Sequence, residues 1–315
     1  MFQLPDFLGL QYNHPMTYVA AIQMVSTDTV SKNLELAERL IEEAVSKKAK
    51  LITLPENFPL MGKRDEDRLA ITESYNDGPL QLFLSEQSKR YKIWLLGGTI
   101  PLKSNNPKKV FATNLLFNPN GDCIARYDKI HLFDVMLDGR DEESYRESKT
   151  FESGNDVVVV KTEIGNIGLS VCYDLRFPEM YRKMHQKNVQ IITAPSAFTA
   201  TTGKAHWETL LRTRAIENLC YLIASNQGGI HANGRETWGH SMIVDPWGEI
   251  LAEVKEETGI DRKDLFYLIG SDSLKQFHTW QNPKEILEEC RLIVAIRPGF
   301  RPSDIPNWIL AKIQF

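Results

Sequence analysis

The 315-residue sequence predicts an α/β fold with mixed sheets in one large domain. Three observations predict it. Apolar, β-branched runs alternate with segments of helical period from residue 17 onward. Hairpin signatures interrupt that alternation, which a purely parallel sheet would not allow. No Gly/Ser linker, low-complexity tract or internal repeat divides the chain.

The elements follow in order. TYVAAIQM (17–24) is a strand, and VSKNLELAERLIEEAVSKKA (30–49) is a helix with Leu34, Ala37, Leu40, Ile41, Ala44 and Val45 on one face. LITLP (51–55) is a buried strand stopped by proline. A helix over Leu80–Lys89 leads to a strand over IWLLGGTI (93–100). Hairpins occupy 110–129 around Asn118–Gly121, 157–172 around Glu163–Asn166, and 240–254 around Asp245–Gly248. Strands IITAPS (191–196) and YLIASNQ (221–227) flank a helix, HWETLLRTRAIEN (206–218), that His206 and Trp207 open. Residues 1–15 read as a loose N-terminal arm with a poor signal-peptide pattern, so Met16 is an alternative start. The domain runs over 16–254, and 255–315, with a possible strand at LIVAIRP (292–298), is expected to pack on it.

Composition excludes several classes. With 42% hydrophobic and 25% charged residues and a net charge of −4, the chain carries no basic, aromatic-interleaved patch, so no nucleic-acid partner is expected. No apolar run reaches the length of a membrane span. Cysteines 123, 172, 220 and 290 lack CxxC spacing, which suits free thiols in a reducing cytoplasm. The seven histidines show no HExxH pattern, and there is neither a P-loop nor GxGxxG, so no metal or cofactor is expected.

Chemistry-bearing residues stand near strand ends, where a sheet fixes side chains and loops leave room for a ligand. Glu56 follows LITLP, Lys129 closes a hairpin in RYDKIHLFD, and Cys172 ends GNIGLSVC; Glu147 lies between the last two in SYRES. Each alone has an ordinary reading: a core thiol, a solvated loop carboxylate, a surface ion pair, a solvent-facing glutamate. Together they make an acyl-transfer site. A thiol needs a base or a positive charge to act as a nucleophile. One carboxylate supplies the base, a lysine holds the oxyanion with a backbone N–H after the cysteine, and a second carboxylate orients the lysine.

LITLPENF, RYDKIHLFD and GLSVCYDLRFPE, in that order, resemble the three signature blocks of the nitrilase superfamily of carbon–nitrogen hydrolases, and the likeness extends over roughly 17–254. The resemblance implies a four-layer α-β-β-α sandwich, a homodimer formed through helices, and a cysteine acyl-enzyme that needs no cofactor. It implies Glu56 as general base and acid, Lys129 as oxyanion donor, Cys172 as nucleophile and Glu147 as the second glutamate. The Tyr173 backbone N–H would share the oxyanion hole, Arg176 would bind a substrate carboxylate or else form a structural ion pair, and Phe198 and Thr199 would line the pocket. PSAFTATTGKAHWE and GHSMIVDPWG are most similar to the branch of deaminated-glutathione amidases and ω-amidases. The implied reaction is hydrolysis of a small carboxylate-bearing amide to acid and ammonia. Alternatives are ω-amidase, carbamoylase or nitrilase activity on the same scaffold, or a binding protein that keeps the fold. Met136, where the family usually has an acidic residue, and a longer loop after Lys129 bear on the pocket. The ending after Val254 departs from the family pattern.

Overall fold

The computed structural model describes residues 18–137 and 143–254, with strands at 266–270 and 291–295. The expected arm at 1–15, the Met136 side chain with the loop after it, and the packing of 255–315 lie outside the described residues. The chain divides into two compact units, and Tyr18–Phe266 is the one that carries the site.

Its first six-stranded sheet contains β1 (Tyr18–Ala21), β2 (Ala49–Thr53), β3 (Trp94–Leu96), β4 (Ile100–Lys103), β5 (Val110–Phe117) and β6 (Cys123–Asp128). The order is β1-β2-β3-β5-β4, with β6 on the other side of β5. The first three strands are parallel, whereas β5 runs antiparallel to β3, β4 and β6. A short hairpin follows, β7 (Asp134–Leu137) with β8 (Glu143–Arg146). The second sheet uses β9 (Val159–Thr162), β10 (Gly165–Leu169), β11 (Ile191–Thr193) and β12 (Tyr221–Ala224). The hairpin β13 (Gly228–Ile230) with β14 (Glu236–Trp238) stands off this sheet, which β15 (Met242–Val244) and β16 (Ile250–Glu253) complete in the order β16-β15-β12-β11-β10-β9. Again three central strands, β10, β11 and β12, are parallel. Outside this unit, β17 (Phe266–Gly270) pairs with β18 (Arg291–Ala295), so part of the strand expected at 292–298 forms.

Period-two side-chain alternation explains why the strands read as continuous apolar runs. Leu51, Leu96 and Leu116 point between the sheets, into a core shared with Leu169, Val171 and Leu222. Their neighbours Ile52, Leu95 and Leu115 point the other way, onto helices α1 (Val30–Ser46) and α2 (Pro79–Tyr91). On the far side, α3 (Pro178–Gln186) and α4 (Ala200–Asn218) cover the second sheet. The layers are α-β-β-α.

A buried polar seam joins the sheets at the ends of their parallel strands. The Ser225 hydroxyl donates to the Thr53 carbonyl (2.8 Å), and both residues are fully buried. Gln227, also buried, donates through Nε2 to the Glu56 carbonyl (3.0 Å), while Asn226 Oδ1 accepts from the Phe198 N–H (3.1 Å). Buried amides with their donors and acceptors satisfied fix geometry rather than merely fill space. Here they lock the loops that follow β2 and β11.

Three local expectations need correction, and one helix is added. The run 93–100 is two strands, because Gly98 adopts φ +55° and a Cβ there would collide with the Pro55 carbonyl. The helix expected from 206 begins at Ala200, since Thr199 caps it by accepting the Thr202 N–H (3.2 Å). His206 and Trp207 are therefore interior residues of α4. The helix α3 carries Met180, Tyr181 and Met184 inward at helical spacing behind a proline at its start, a pattern present in the sequence but not used. The 157–172 hairpin turns through Glu163 and Ile164, with Gly165 already in β10.

Candidate active site

Glu56, Lys129, Glu147 and Cys172, together with Tyr173, Arg176, Phe198 and Thr199, line one half-open cavity. Its empty space is about 560 Å³, partly open to solvent, a size suited to a small molecule. No cluster of metal-ligating side chains occurs among the described residues.

Each polar group arrives by a distinct route. Glu56 lies three residues past β2, its backbone held by Gln227. Lys129 immediately follows β6, its N–H donating to the Ala112 carbonyl and its carbonyl accepting the Gly154 N–H (both 2.9 Å). Glu147 opens a short 3₁₀ turn after β8, and its Oε2 accepts the Phe133 N–H at 2.7 Å. Cys172 follows β10: its N–H donates to the Pro195 carbonyl (2.9 Å), and its φ of +48° is left-handed. A non-glycine residue in that region is strained. The chain turns there into a 3₁₀ segment, Cys172–Arg176, and Cys172 stands on the cavity wall.

Lys129 is the hub. Its ammonium donates to Glu56 Oε1 (2.8 Å) and to both Glu147 oxygens (2.9 and 2.8 Å), and it is 1% exposed. A buried cation is tolerable when paired and hydrogen-bonded in this way. Burial pulls the Lys129 pKa down, but Glu147 and Glu56 more than reverse this, and the group stays charged. Burial likewise pushes Glu56 up, but the Lys129 charge and hydrogen bond hold its carboxyl below the usual value. Cys172 moves the other way. Burial and the adjacent Glu56 charge push its thiol well above the ordinary value, against the pull of Lys129. The resting arrangement is an ammonium, a Glu56 carboxylate and a protonated thiol hydrogen-bonded to Glu56.

Asp174, two residues past the cysteine and fully buried, braces the site from behind. Its Oδ2 accepts the Val171 N–H (2.8 Å) and the Tyr127 hydroxyl (2.6 Å); its Oδ1 accepts the His131 N–H (3.1 Å) and contacts His131 Nδ1 (2.7 Å). One carboxyl thus ties the turn bearing Cys172 to the segments on both sides of Lys129.

The remaining expected residues differ in what they have free. The Thr199 hydroxyl is spent on the α4 cap, so Thr199 shapes the wall rather than offering a donor. Phe198 packs on Trp207, which is fully buried and donates through Nε1 to the His240 carbonyl (2.7 Å). The structural ion pair considered for Arg176 is absent among the described residues. Its guanidinium lies 5.7 Å from the Phe198 ring centre and 5.8 Å from that of Tyr173, with Nη2 3.3 Å from His206 Nδ1. Sequence reasoning missed Arg68, Arg146 and Arg235, which share the cavity with Arg176. For Arg235 a signal was present: Asn233-Gly234 is a hairpin turn between β13 and β14.

Comparison with known proteins agrees with this geometry. Residues 18–263 match the carbon–nitrogen hydrolase family. Over 260 residues the chain is 42% identical to a deaminated glutathione amidase of Synechocystis, covering 82% of this chain and 93% of that protein. Over 289 residues it is 38% identical to a deaminated glutathione amidase of Yersinia enterocolitica, covering 90% and 96%. The crystal structure of Saccharomyces cerevisiae Nit3, of the nitrilase superfamily, superposes with a TM-score of 0.70 at 31% identity, covering 78% of this chain and 88% of that one. With its four-layer sandwich and its Glu-Lys-Cys cluster in one cavity, the chain belongs to the carbon–nitrogen hydrolases, enzymes acting on amides.

Proposed function

We propose that the enzyme hydrolyses a small carboxylate-bearing amide of the deaminated-glutathione type, through an acyl-enzyme on Cys172. The observation that carries this reading is the Lys129 ammonium held 2.8 Å from Glu56 and from Glu147, with the Cys172 thiol bonded to Glu56 in the same cavity.

As Cys172 Sγ bonds to the amide carbon, its proton passes to Glu56. The oxyanion is met by the Lys129 ammonium and the Tyr173 N–H, donors fixed before the reaction begins. Glu56 returns the proton to nitrogen as the C–N bond breaks, leaving a thioester. Glu56 then takes a proton from water, the hydroxide adds to the thioester, and the thiol departs reprotonated. Glu147 keeps Lys129 in place and accepts from the substrate N–H. The leaving group is ammonia from a primary amide; where the nitrogen carries a peptide, as in deaminated glutathione, it is that peptide's amine. Arg176, with its planar fork, takes the carboxylate of the acyl part.

The test is amine and ammonia release from deaminated glutathione, α-ketoglutaramate, simple nitriles and N-carbamoyl amino acids. Mass spectrometry during turnover is expected to show an acyl adduct on Cys172 that disappears in Cys172→Ala. Full activity in Cys172→Ala would overturn the mechanism.

A cytoplasmic setting and a homodimer belong to the same proposal. A reducing compartment keeps Cys172 a thiol, and no helix among the described residues is long and apolar enough to cross a membrane. Trp247 is 79% exposed, beside the exposed Ile216 of α4, whose side chain would lie 2.5 Å from a Cβ at Gly248. Such an apolar patch suits a second copy of the chain. Trp247→Glu is expected to shift sedimentation toward the monomer; an unchanged profile would remove this face from the interface.

A further inference from the structure

The cavity wall has a charge that the acyl-transfer chemistry does not require. Among the described residues, Arg68, Arg146, Arg176, Arg235 and Lys129 face it against Glu56 and Glu147, an excess of three positive charges in a chain whose net charge is −4. Lys129 is neutralised by its two glutamates. Arg68 donates to Asn57 Oδ1 at 3.2 Å, so the call for an anion rests on Arg176 and Arg235.

Arg235 is the least satisfied of them. It rides on the β13–β14 hairpin, and Nη2 donates to the Ala197 carbonyl at 2.7 Å. The guanidinium lies 5.0 Å from the Tyr145 ring centre, which holds its plane but offers no acceptor along its edge. Nε is buried and has no hydrogen-bond partner, and among the described residues no carboxylate lies within ion-pair distance of Arg235. A buried donor without an acceptor is costly to leave, and an arginine edge pairs best with a carboxylate, two parallel bonds at once. Nothing internal fills this role.

Position decides which carboxylate. Arg235 grips Ala197, whereas Arg176 lies over the ring of the next residue, Phe198, so the two guanidinium groups flank one short strip of wall. The charge of Arg235 also reaches Glu56, the group that protonates the leaving nitrogen. With Arg176 given to the acyl carboxylate, Arg235 is the guanidinium left in the cavity for the amine side of the scissile bond.

We propose that Arg235 binds a carboxylate on the amine portion of the substrate, so that the site is built for amides with a carboxylate at each end. The inference rests on the amidase reading above and narrows its substrate class. It makes Arg235 a specificity-determining residue: it selects the long dicarboxylate over small primary amides, and it takes no part in bond making.

The test uses equilibrium binding to Cys172→Ala, which cannot turn over. The two probes are the α-ketoglutaryl amide of cysteinylglycine and the same molecule with its glycine carboxylate capped as an amide. The uncapped probe is expected to bind about 10- to 100-fold more tightly, the range for a charge-assisted pair. Adding Arg235→Gln should erase that preference, and Arg235→Lys should restore part of it because the charge returns without the fork. Equal weakening of both probes by Arg235→Gln, or none of either, would overturn the proposal. In the otherwise unaltered enzyme, Arg235→Gln should raise KM for the dicarboxylate at least about tenfold more than for α-ketoglutaramate. If Cys172→Ala binds with the expected preference but the native enzyme releases no amine, the amidase reading fails while the role of Arg235 in binding stands.

Discussion

Replacing Asp174 with Asn tests how the site is held together. The carboxyl accepts two donors on each oxygen: the Val171 N–H and the Tyr127 hydroxyl on one, the His131 N–H and ring on the other. Asparagine keeps the shape but replaces one oxygen with a donor. The Tyr127 hydroxyl can turn to accept, and the His131 ring can change tautomer, but each side also presents a backbone N–H that cannot adapt. Whichever way the amide lies, one backbone N–H faces another donor in a fully buried spot. That costs about 1–3 kcal/mol for the orphaned donor, and roughly 1 kcal/mol more for the weaker bonds that remain. A loss of about 2–4 kcal/mol in urea denaturation is expected. The broken tie joins the Cys172 turn to the Lys129 segment, so kcat should fall at least about tenfold. Destabilisation under about 1 kcal/mol, or an unchanged kcat, would refute this account.

Three further outcomes follow from the same geometry. Lys129→Met leaves the buried Glu56 and the half-buried Glu147 carboxylates with no cation between them, so about 3–5 kcal/mol of stability should go in urea denaturation, along with turnover; native stability in this variant would contradict the pairing. Because Lys129 holds Glu56 below the usual carboxylate range, the base form persists as pH falls. The acid limb of kcat/KM should therefore lie below about 4.3, the ordinary glutamate value, with folding followed by fluorescence; a limb near neutrality would assign the base elsewhere. Gly203→Ala places a methyl group against the Cβ of Trp238, at the end of the hairpin that carries Arg235. About 1–3 kcal/mol of overpacking is expected, together with a raised KM for dicarboxylate amides and no change in the acyl adduct seen by mass spectrometry.

What could be read from the sequence, and what could not, follows from the range of the interactions. The strands of both sheets were legible because each is buried on two faces and so reads as an unbroken apolar run, as in LITLP and YLIAS. Glu56, Lys129 and Cys172 were legible because strand ends are local signals, and their order in the chain matched a known pattern. Thr199 stands on the cavity wall, and its second role went unread: a threonine before ATTG (200–203) caps a helix, and the cap takes up its hydroxyl. The partners of Arg235 and Asp174 were out of reach in a different way. Arg235 meets Ala197 across 38 positions and Asp174 meets Tyr127 across 47, and no local pattern announces such pairs.

The charge states also explain why a lysine stands where many thiol nucleophiles have a histidine. A histidine partner would take the thiol proton and leave a thiolate at rest, exposed to oxidation. Here the cation is already committed to two carboxylates, and burial with the Glu56 charge outweighs its pull on Cys172 and keeps the thiol protonated. The surplus negative charge of the cluster sits on Glu56, the one group that both touches the thiol and can carry a proton to nitrogen. In the proposed mechanism, attack moves that proton onto Glu56, and the pull of Glu56 on Lys129 weakens just as an oxyanion forms. The ammonium is released toward the new charge at the step that needs it. The same cluster therefore stores an inert thiol and activates it only when an amide carbonyl is in place.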